Sequence, residues 1–204
     1  MKKIGFLFIA VIGNSLGTVI MSNTSLGMTA WGSSASNFGN YFNISLGSSF
    51  IILSTIFYIL AVLIRKEWKC KEFVFSFIFL FSFGSAVNLF ELIIPSFNEF
   101  HFIIRIALNI FGLLILLFAI AVHIRINIAV HPMDVYMREL HIKFNSIKLG
   151  TYICYLSAFI VAIVFGVLEG EIINIGIGTI ITIFLSGLII HFYDEKILQK
   201  INLK

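Results

Sequence analysis

The sequence predicts an all-α membrane protein with six transmembrane helices arranged as two inverted three-helix repeats. Three observations carry this prediction: an apolar composition, six long apolar segments and one short segment that occurs twice. The chain has 204 residues, of which 59% are apolar and 12% charged, and its mean hydropathy is +1.04. Soluble domains carry about 25% charged residues, and a charge in hydrocarbon costs about 2.5 kcal/mol or more. The composition therefore indicates a membrane protein.

Six segments are long and apolar enough to cross the hydrocarbon core, which takes about 20 residues of helix. They lie at residues 4–22, 48–64, 73–94, 102–123, 149–168 and 173–192. The first follows Met1 and two lysines in the manner of a signal peptide. It continues without a clear Ala-x-Ala cleavage site, so we expect an uncleaved first helix.

The basic residues predict the orientation of these spans. Lysines and arginines occur before the first span, between the second and third, between the fourth and fifth, and after the sixth, whereas the other three connections carry none. Cytoplasmic loops carry the excess of Lys and Arg, so both termini are expected to be cytosolic. Three spans per half make the second half enter from the opposite side. The halves 1–101 and 102–204 are therefore expected to form an inverted repeat within one membrane domain.

The duplicated segment lies at residues 31–42 and recurs 102 residues later at residues 133–144. Trp31 aligns with Met133, and Phe42 aligns with Phe144. In both copies the apolar residues recur at the spacing of one helix face. The pattern therefore predicts two short amphipathic helices, one after the first span of each half.

The two copies differ in charge. In the second, Pro132 suits the first turn of a helix, Asp134 is favourable near its N-terminus, and Asp134 and Arg138 are spaced to pair. The first copy is uncharged, and Gly27 before it permits a break that lets the helix dip into the membrane. Two interpretations stay open: the helices line or gate a central site, or they lie in the interface as amphipathic connectors.

Three short motifs carry a resemblance to a known family. They are Gly27-Met28-Thr29-Ala30-Trp31, His131-Pro132-Met133-Asp134 and Gly176-Ile177-Gly178-Thr179. They resemble motifs of the YczE/YyaS/YitT-like bacterial integral membrane proteins, over nearly the whole chain. The first half departs from the family pattern, with Ala30 in place of a proline and Gly32 in place of an aspartate. The resemblance implies a multi-pass protein of the bacterial cytoplasmic membrane and supplies little biochemistry.

Polar residues within spans are candidates for a functional site, because they are costly in hydrocarbon. Glu91 and Arg105 lie at similar depths near the outer ends of spans three and four, so we expect a structural or coupling ion pair, or contact with the outer interface. The candidate substrate-binding residues are Asn14, Gly27, Trp31, Asn88, His131, Asp134, Gly176, Gly178 and Thr179. Close helix packing explains the glycines equally well, and ordinary interhelical hydrogen bonds explain the amides.

The chain lacks the motifs of common membrane enzymes and ATPases. It has no G-x-x-x-x-G-K-[ST], G-x-S-x-G or H-E-x-x-H, so we expect neither an enzyme nor a cofactor. His131 and Asp134 supply two ligands, too few for a metal site. The basic residues form no single patch, which argues against nucleic acid. The expected partners are the lipid bilayer and a small-molecule substrate, and an oligomer stays open.

Three functions fit these features. The first is a secondary transporter or facilitator of a small solute, with its site between the repeats. The second is a non-catalytic binding subunit like that of an energy-coupling-factor transporter, which requires an ATPase partner. The third is a regulatory or structural membrane protein, which a core filled by the 23 phenylalanines favours.

Overall fold

The computed structural model describes residues 2–126 and 131–200, and every regular element within them is helical. The last helix continues into a π-helical turn and a 3₁₀ turn. The elements are α1 (Lys2–Asn23), α2 (Ala30–Phe42), α3 (Leu46–Arg65), α4 (Cys70–Ile93), α5 (Phe102–Ile126), α6 (Pro132–Lys143), α7 (Ile147–Glu169), α8 (Ile177–Phe192), the π turn (Tyr193–Ile197) and the 3₁₀ turn (Leu198–Lys200).

Six of these helices are long and apolar enough to cross a membrane, as the sequence predicts: α1, α3, α4, α5, α7 and α8. Most boundaries differ from the prediction by a few residues, and one of these shifts bears on the site. The sixth span was expected from residue 173, but α8 begins at Ile177 with Gly176 as its N-cap. Residues 173–176 are instead occupied in contacts with the first half, as described below.

The duplicated segments form the two short helices that the sequence predicts, and both are packed inside the bundle. Both α2 and α6 pack against α3 and α7. Each short helix therefore lies between a helix of its own half and one of the other half. For α2 the interpretation as a surface connector is wrong, because α2 buries its polar face as well as its apolar face.

The two short helices begin and end in corresponding ways. At the N-cap of α2, Thr29 accepts a hydrogen bond from Gly32 N–H at 3.0 Å. At the N-cap of α6, His131 Nδ1 accepts from Met133 N–H at 3.3 Å. Such side-chain acceptors satisfy amides that the helix leaves unpaired. Both helices are followed by an asparagine in the left-handed conformation, Asn43 (φ 52°) and Asn145 (φ 46°).

Both short helices begin midway along the bundle. The Trp31 ring lies 4.6 Å from that of Phe57, about 17 Å along α3 from Leu46 at 1.5 Å per residue. The His131 ring lies 5.9 Å from that of Phe83. Phe83 lies about 20 Å along α4 from Cys70, where α4 begins at the other end of the bundle. The hydrocarbon core is about 30 Å thick, so both N-termini lie about halfway along helices of spanning length.

The crossing of α1 and α5 joins the two halves through small residues. A Cβ built on Gly17 lies 2.5 Å from the Gly112 carbonyl oxygen and 2.7 Å from Leu116, and one built on Gly13 lies 2.9 Å from the Ala119 Cβ. Small residues let helix backbones approach closely, which favours association in lipid. This crossing therefore sets the distance between the halves.

Substitution of Gly17 by alanine is expected to lower stability by about 1–3 kcal/mol, because the new methyl group meets backbone atoms of α5 that have no room to move. Gly187→Ala is the matched control, since a Cβ there meets nothing within 4 Å. Thermal unfolding of both variants in detergent measures the difference. A Gly17→Ala protein as stable as the Gly187→Ala protein contradicts the tight crossing.

Candidate functional site

At one end of the bundle, the connection after α1 pairs with the connection before α8. Met28 N–H donates to the Asn174 carbonyl at 3.1 Å, and Gly178 N–H donates to the Leu26 carbonyl at 2.8 Å. Gly27 has a φ of 116°, a conformation that favours glycine. We call residues 24–29 and 173–179 together the outer clasp, after the membrane face on which the sequence analysis expects them.

Four of the predicted binding residues meet in the outer clasp. A Cβ on Gly27 would lie 2.6 Å from Thr179 Oγ1, and one on Gly178 would lie 2.5 Å from the Gly27 carbonyl. Gly176 N–H donates to Thr179 Oγ1 at 3.3 Å. The protein itself uses the amides of Gly176 and Gly178, so close packing accounts for this glycine motif better than capture of an anion.

Arg105 and Asn109 of α5 satisfy carbonyl and hydroxyl groups of the outer clasp. Arg105 donates to the Thr24 carbonyl from Nε at 2.9 Å and from Nη2 at 2.6 Å. Asn109 Nδ2 donates to Thr24 Oγ1 at 2.8 Å and to the Gly27 carbonyl at 3.0 Å. A buried carbonyl without a donor costs about 1–3 kcal/mol. The expected role of Arg105 as an ion-pair partner is therefore replaced by a backbone contact.

The predicted ion pair between Glu91 and Arg105 is wrong for the described residues. Glu91 Oε2 instead accepts from Leu46 N–H, at the start of α3, at 3.2 Å. One turn earlier on α4, Asn88 Oδ1 accepts from Gly47 N–H at 2.9 Å. Glu91 and Asn88 thus satisfy the first amides of α3, which a helix start leaves unpaired.

Asn37 of α2 is a central contact that the sequence did not single out. Its Nδ2 donates to the Ser33 and Ile173 carbonyls at 2.8 and 2.7 Å, and its Oδ1 accepts from Ile173 N–H at 2.9 Å. Nearby, Ser33 Oγ donates to the Asn174 carbonyl at 2.6 Å. The polar face of α2 therefore holds the chain of the second half in place. The small and amide residues of this face were the signal in the sequence. They did not identify the partner, Ile173, because it lies 136 residues away.

A polar pocket of about 220 Å³ opens beside the outer clasp. Glu91 supplies its carboxylate, while α2 and its C-cap supply hydroxyl and amide groups. It is lined by Ser22, Ser36, Gly39, Asn40, Asn43, Ile44, Leu46, Glu91 and Ile173. We call it the outer pocket; of its residues, only Glu91 was a sequence candidate.

Aromatic side chains close the centre of the bundle between α2 and α6. The Phe57 ring contacts Trp31 at 4.6 Å and Tyr136 at 5.0 Å between ring centroids. Trp31 also lies beside the buried Cys154 of α7. The first turn of α2 and the second turn of α6 therefore meet at Phe57, and Trp31 lies at that junction. Its role in substrate binding stays a prediction.

Asp134 lies within electrostatic range of Cys154 and Tyr155 of α7. The Asp134 side chain is exposed on the surface of the bundle. The His131 ring lies beside those of Phe79 and Phe83 of α4, with ring centroids 5.8 and 5.9 Å away. Both residues lie in α6 or its cap, outside the six spans.

Two further predictions concern Asn14 and a metal site. Asn14 is half-buried on α1, next to Ser15, whose hydroxyl donates to the Phe83 carbonyl at 3.2 Å. Within the ranges 2–126 and 131–200, no three His, Cys, Asp or Glu side chains are grouped to hold a metal ion. Asn14 therefore stays a candidate without an assigned contact.

The comparisons with known proteins give a family but no activity. The model of a family of unknown function, DUF6198, matches residues 1–195. The chain belongs to the DUF6198 family. No curated protein and no solved structure matches it. The expected resemblance to YczE/YyaS/YitT-like proteins is compatible with this family but is not named by it, so it stays a prediction.

In this DUF6198 protein a cluster of ion pairs joins α3, α4 and α6 at the end opposite the outer clasp. Arg65 contacts Glu72 at 2.6 Å and Glu139 at 3.3 Å, and Arg138 contacts the same two carboxylates at 2.6 and 3.0 Å. The spacing predicted that Arg138 pairs with Asp134, but Arg138 binds Glu72 and Glu139 instead. Asp134 is thereby left without an ion pair among the described residues.

Replacement of Asn37 by leucine is expected to destabilise this DUF6198 protein by about 2 kcal/mol or more, because the amide and carbonyl of Ile173 lose their partners. Asn40→Leu is the matched control, since Asn40 lies on the same helix but is exposed. Thermal unfolding of both variants tests the difference. Equal loss of stability in the two variants contradicts the role of Asn37.

Proposed function

We propose that the protein is a secondary transporter or facilitator of a small polar solute, with its site between the two halves where α2 and α6 begin. The observation that carries this proposal is the meeting of two half-length helices at Phe57 in the middle of the bundle. Discontinuous helices whose N-termini lie near the midplane form the substrate sites of many transporters with inverted repeats.

The packing of the helices supports an inverted repeat. The pair α1–α4 has its counterpart in α5–α8, α2–α7 in α6–α3, and α2–α3 in α6–α7. The largest exception is α3–α4, because in the described residues α7 and α8 make little contact. Asp134 and Tyr155 are both exposed on this looser second half.

The groups around the junction suit a polar solute. Asp134 offers a carboxylate, and the positive ends of two helix dipoles point toward the junction from α2 and α6. The outer pocket with Glu91 lies toward one end of the bundle, and the aromatic contacts of Phe57 lie between that pocket and the first turn of α6, which carries Asp134.

The test begins with a thermal-shift screen of the purified protein against small polar metabolites. A ligand at 100 times its dissociation constant adds about 2.7 kcal/mol of stability. Asp134→Asn is expected to lose most of that stabilisation, whereas Glu171→Gln, an exposed carboxylate far along the chain, is expected to retain it. Proteoliposome uptake of the ligand then measures transport.

Two outcomes separate the alternatives. A ligand that binds but is not taken up by proteoliposomes, together with an ATPase that co-purifies, favours a binding subunit over a transporter. An absence of any stabilising solute, with Asp134→Asn indistinguishable from the native chain, contradicts a solute site and favours a regulatory or structural role.

The same proposal places both termini and the basic loops in the cytosol of a bacterial cell, because Lys and Arg concentrate there. Cys70 is exposed at the basic end and Cys154 is buried, so the native chain offers one reactive thiol among its described cysteines. A membrane-impermeant maleimide is expected to label Cys70 only after the membrane is opened. A Cys70→Ser/Glu99→Cys variant is expected to be labelled in intact cells. The reverse pattern contradicts the orientation.

A further inference from the structure

A second pocket, of about 760 Å³, lies at the end opposite the outer clasp, between the end of α3 and the end of α6. We call it the basic pocket. Its wall combines cationic side chains with an aliphatic strip. It is lined by Leu60, Leu63, Ile64, Arg65, Lys66, Glu67, Lys69, Arg138, Glu139, Ile142 and Lys143.

The basic pocket carries more positive charge than the carboxylates that line or adjoin it neutralise. Arg65 and Arg138 share Glu72 and Glu139, and Lys69 contacts Glu67 at 3.8 Å. These three cations are thus matched by three carboxylates. Lys66 and Lys143 line the same pocket, are both exposed, and form no ion pair within the described residues. Lys143 Nζ lies 5.8 Å from the centroid of the Phe144 ring, a contact that leaves its positive charge without a carboxylate. Two positive charges therefore remain for a ligand.

The aliphatic strip lies on the lipid-facing side of the pocket. Leu63 is 65% exposed and Ile142 is 68% exposed, and both lie beside the charged wall. Trp68, 51% exposed, stands in the connection that follows α3, the position that tryptophan favours at the boundary between headgroups and acyl chains. The pocket thus presents cations at headgroup level with aliphatic side chains directly below them.

We propose that the basic pocket binds an anionic phospholipid, with the headgroup phosphate between Lys66 and Lys143 and an acyl chain along Leu63 and Ile142. Basic pockets between membrane helices bind anionic headgroups through such charges. A free phosphate satisfies the lysines but not the exposed aliphatic strip, so the lipid is the better occupant. This binding is independent of the solute site, because Asp134 and Trp31 do not line the basic pocket.

The test uses native mass spectrometry of the detergent-purified full chain titrated with dioleoylphosphatidylglycerol, dioleoylphosphatidylcholine or inorganic phosphate. The native chain is expected to bind phosphatidylglycerol at least about tenfold more tightly than phosphatidylcholine. Lys66→Gln/Lys143→Gln is expected to weaken phosphatidylglycerol binding about 30-fold, since each basic residue near an anionic surface contributes about 1 kcal/mol. Binding of phosphatidylcholine is expected to stay unchanged.

The matched control is Lys71→Gln/Lys196→Gln, which removes two exposed lysines that do not line the basic pocket. It is expected to leave phosphatidylglycerol binding within about threefold of the native value. All four lysines are exposed, so both variants are expected to fold, and thermal unfolding checks this.

Three results overturn the proposal. The first is equal affinity of the native chain for phosphatidylglycerol and phosphatidylcholine. The second is equal weakening in the two double variants, which indicates general surface charge rather than a pocket. The third is displacement of phosphatidylglycerol by millimolar inorganic phosphate, which identifies a soluble anion as the occupant.

Discussion

The whole arrangement depends on one constraint: irregular backbone inside a membrane bundle must find hydrogen-bond partners within the protein. Residues 24–29 and 173–176 are not helical, and they lie against α5 and α2. Their carbonyl and amide groups are paired by Arg105, Asn109 and Asn37. The polar side chains of the spans thus form hydrogen bonds chiefly with backbone groups. Because these hydrogen bonds fix the clasp, they also fix the position within the bundle at which α2 begins.

Packing and polarity divide the molecule into layers. At the crossing of α1 and α5, Gly17 and Gly112 hold the halves together by close contact. Around the middle, Phe57 and its aromatic neighbours fill the space where the short helices meet. Hydrogen bonds concentrate at the outer clasp, and ion pairs concentrate at the opposite end around Glu72. The two ends are therefore held by different chemistry, which gives each a different sensitivity to salt.

The sequence predicted the elements well because hydropathy and helical spacing are local properties. The duplicated segment at residues 31–42 and 133–144 became helices with nearly those bounds, Ala30–Phe42 and Pro132–Lys143. Contacts were harder to predict. Arg105 was expected to pair with Glu91 because the two lie at similar depths. The non-helical segment 24–29 instead places the Thr24 carbonyl within hydrogen-bond distance of Arg105. Likewise, Asn37 bonds to a residue 136 positions away, which no local pattern specifies.

The exchange of short helices between the halves has a consequence for biosynthesis. α2 packs on α7, which begins about 100 residues after α2 ends. At 5–20 residues per second, about 5 to 20 s of translation separate the two. Throughout that interval Asn37 has emerged while Ile173 has not. The first half therefore stays incompletely packed beside the translocon during that time. The nascent chain reaches its final fold only when its last two spans have been synthesised.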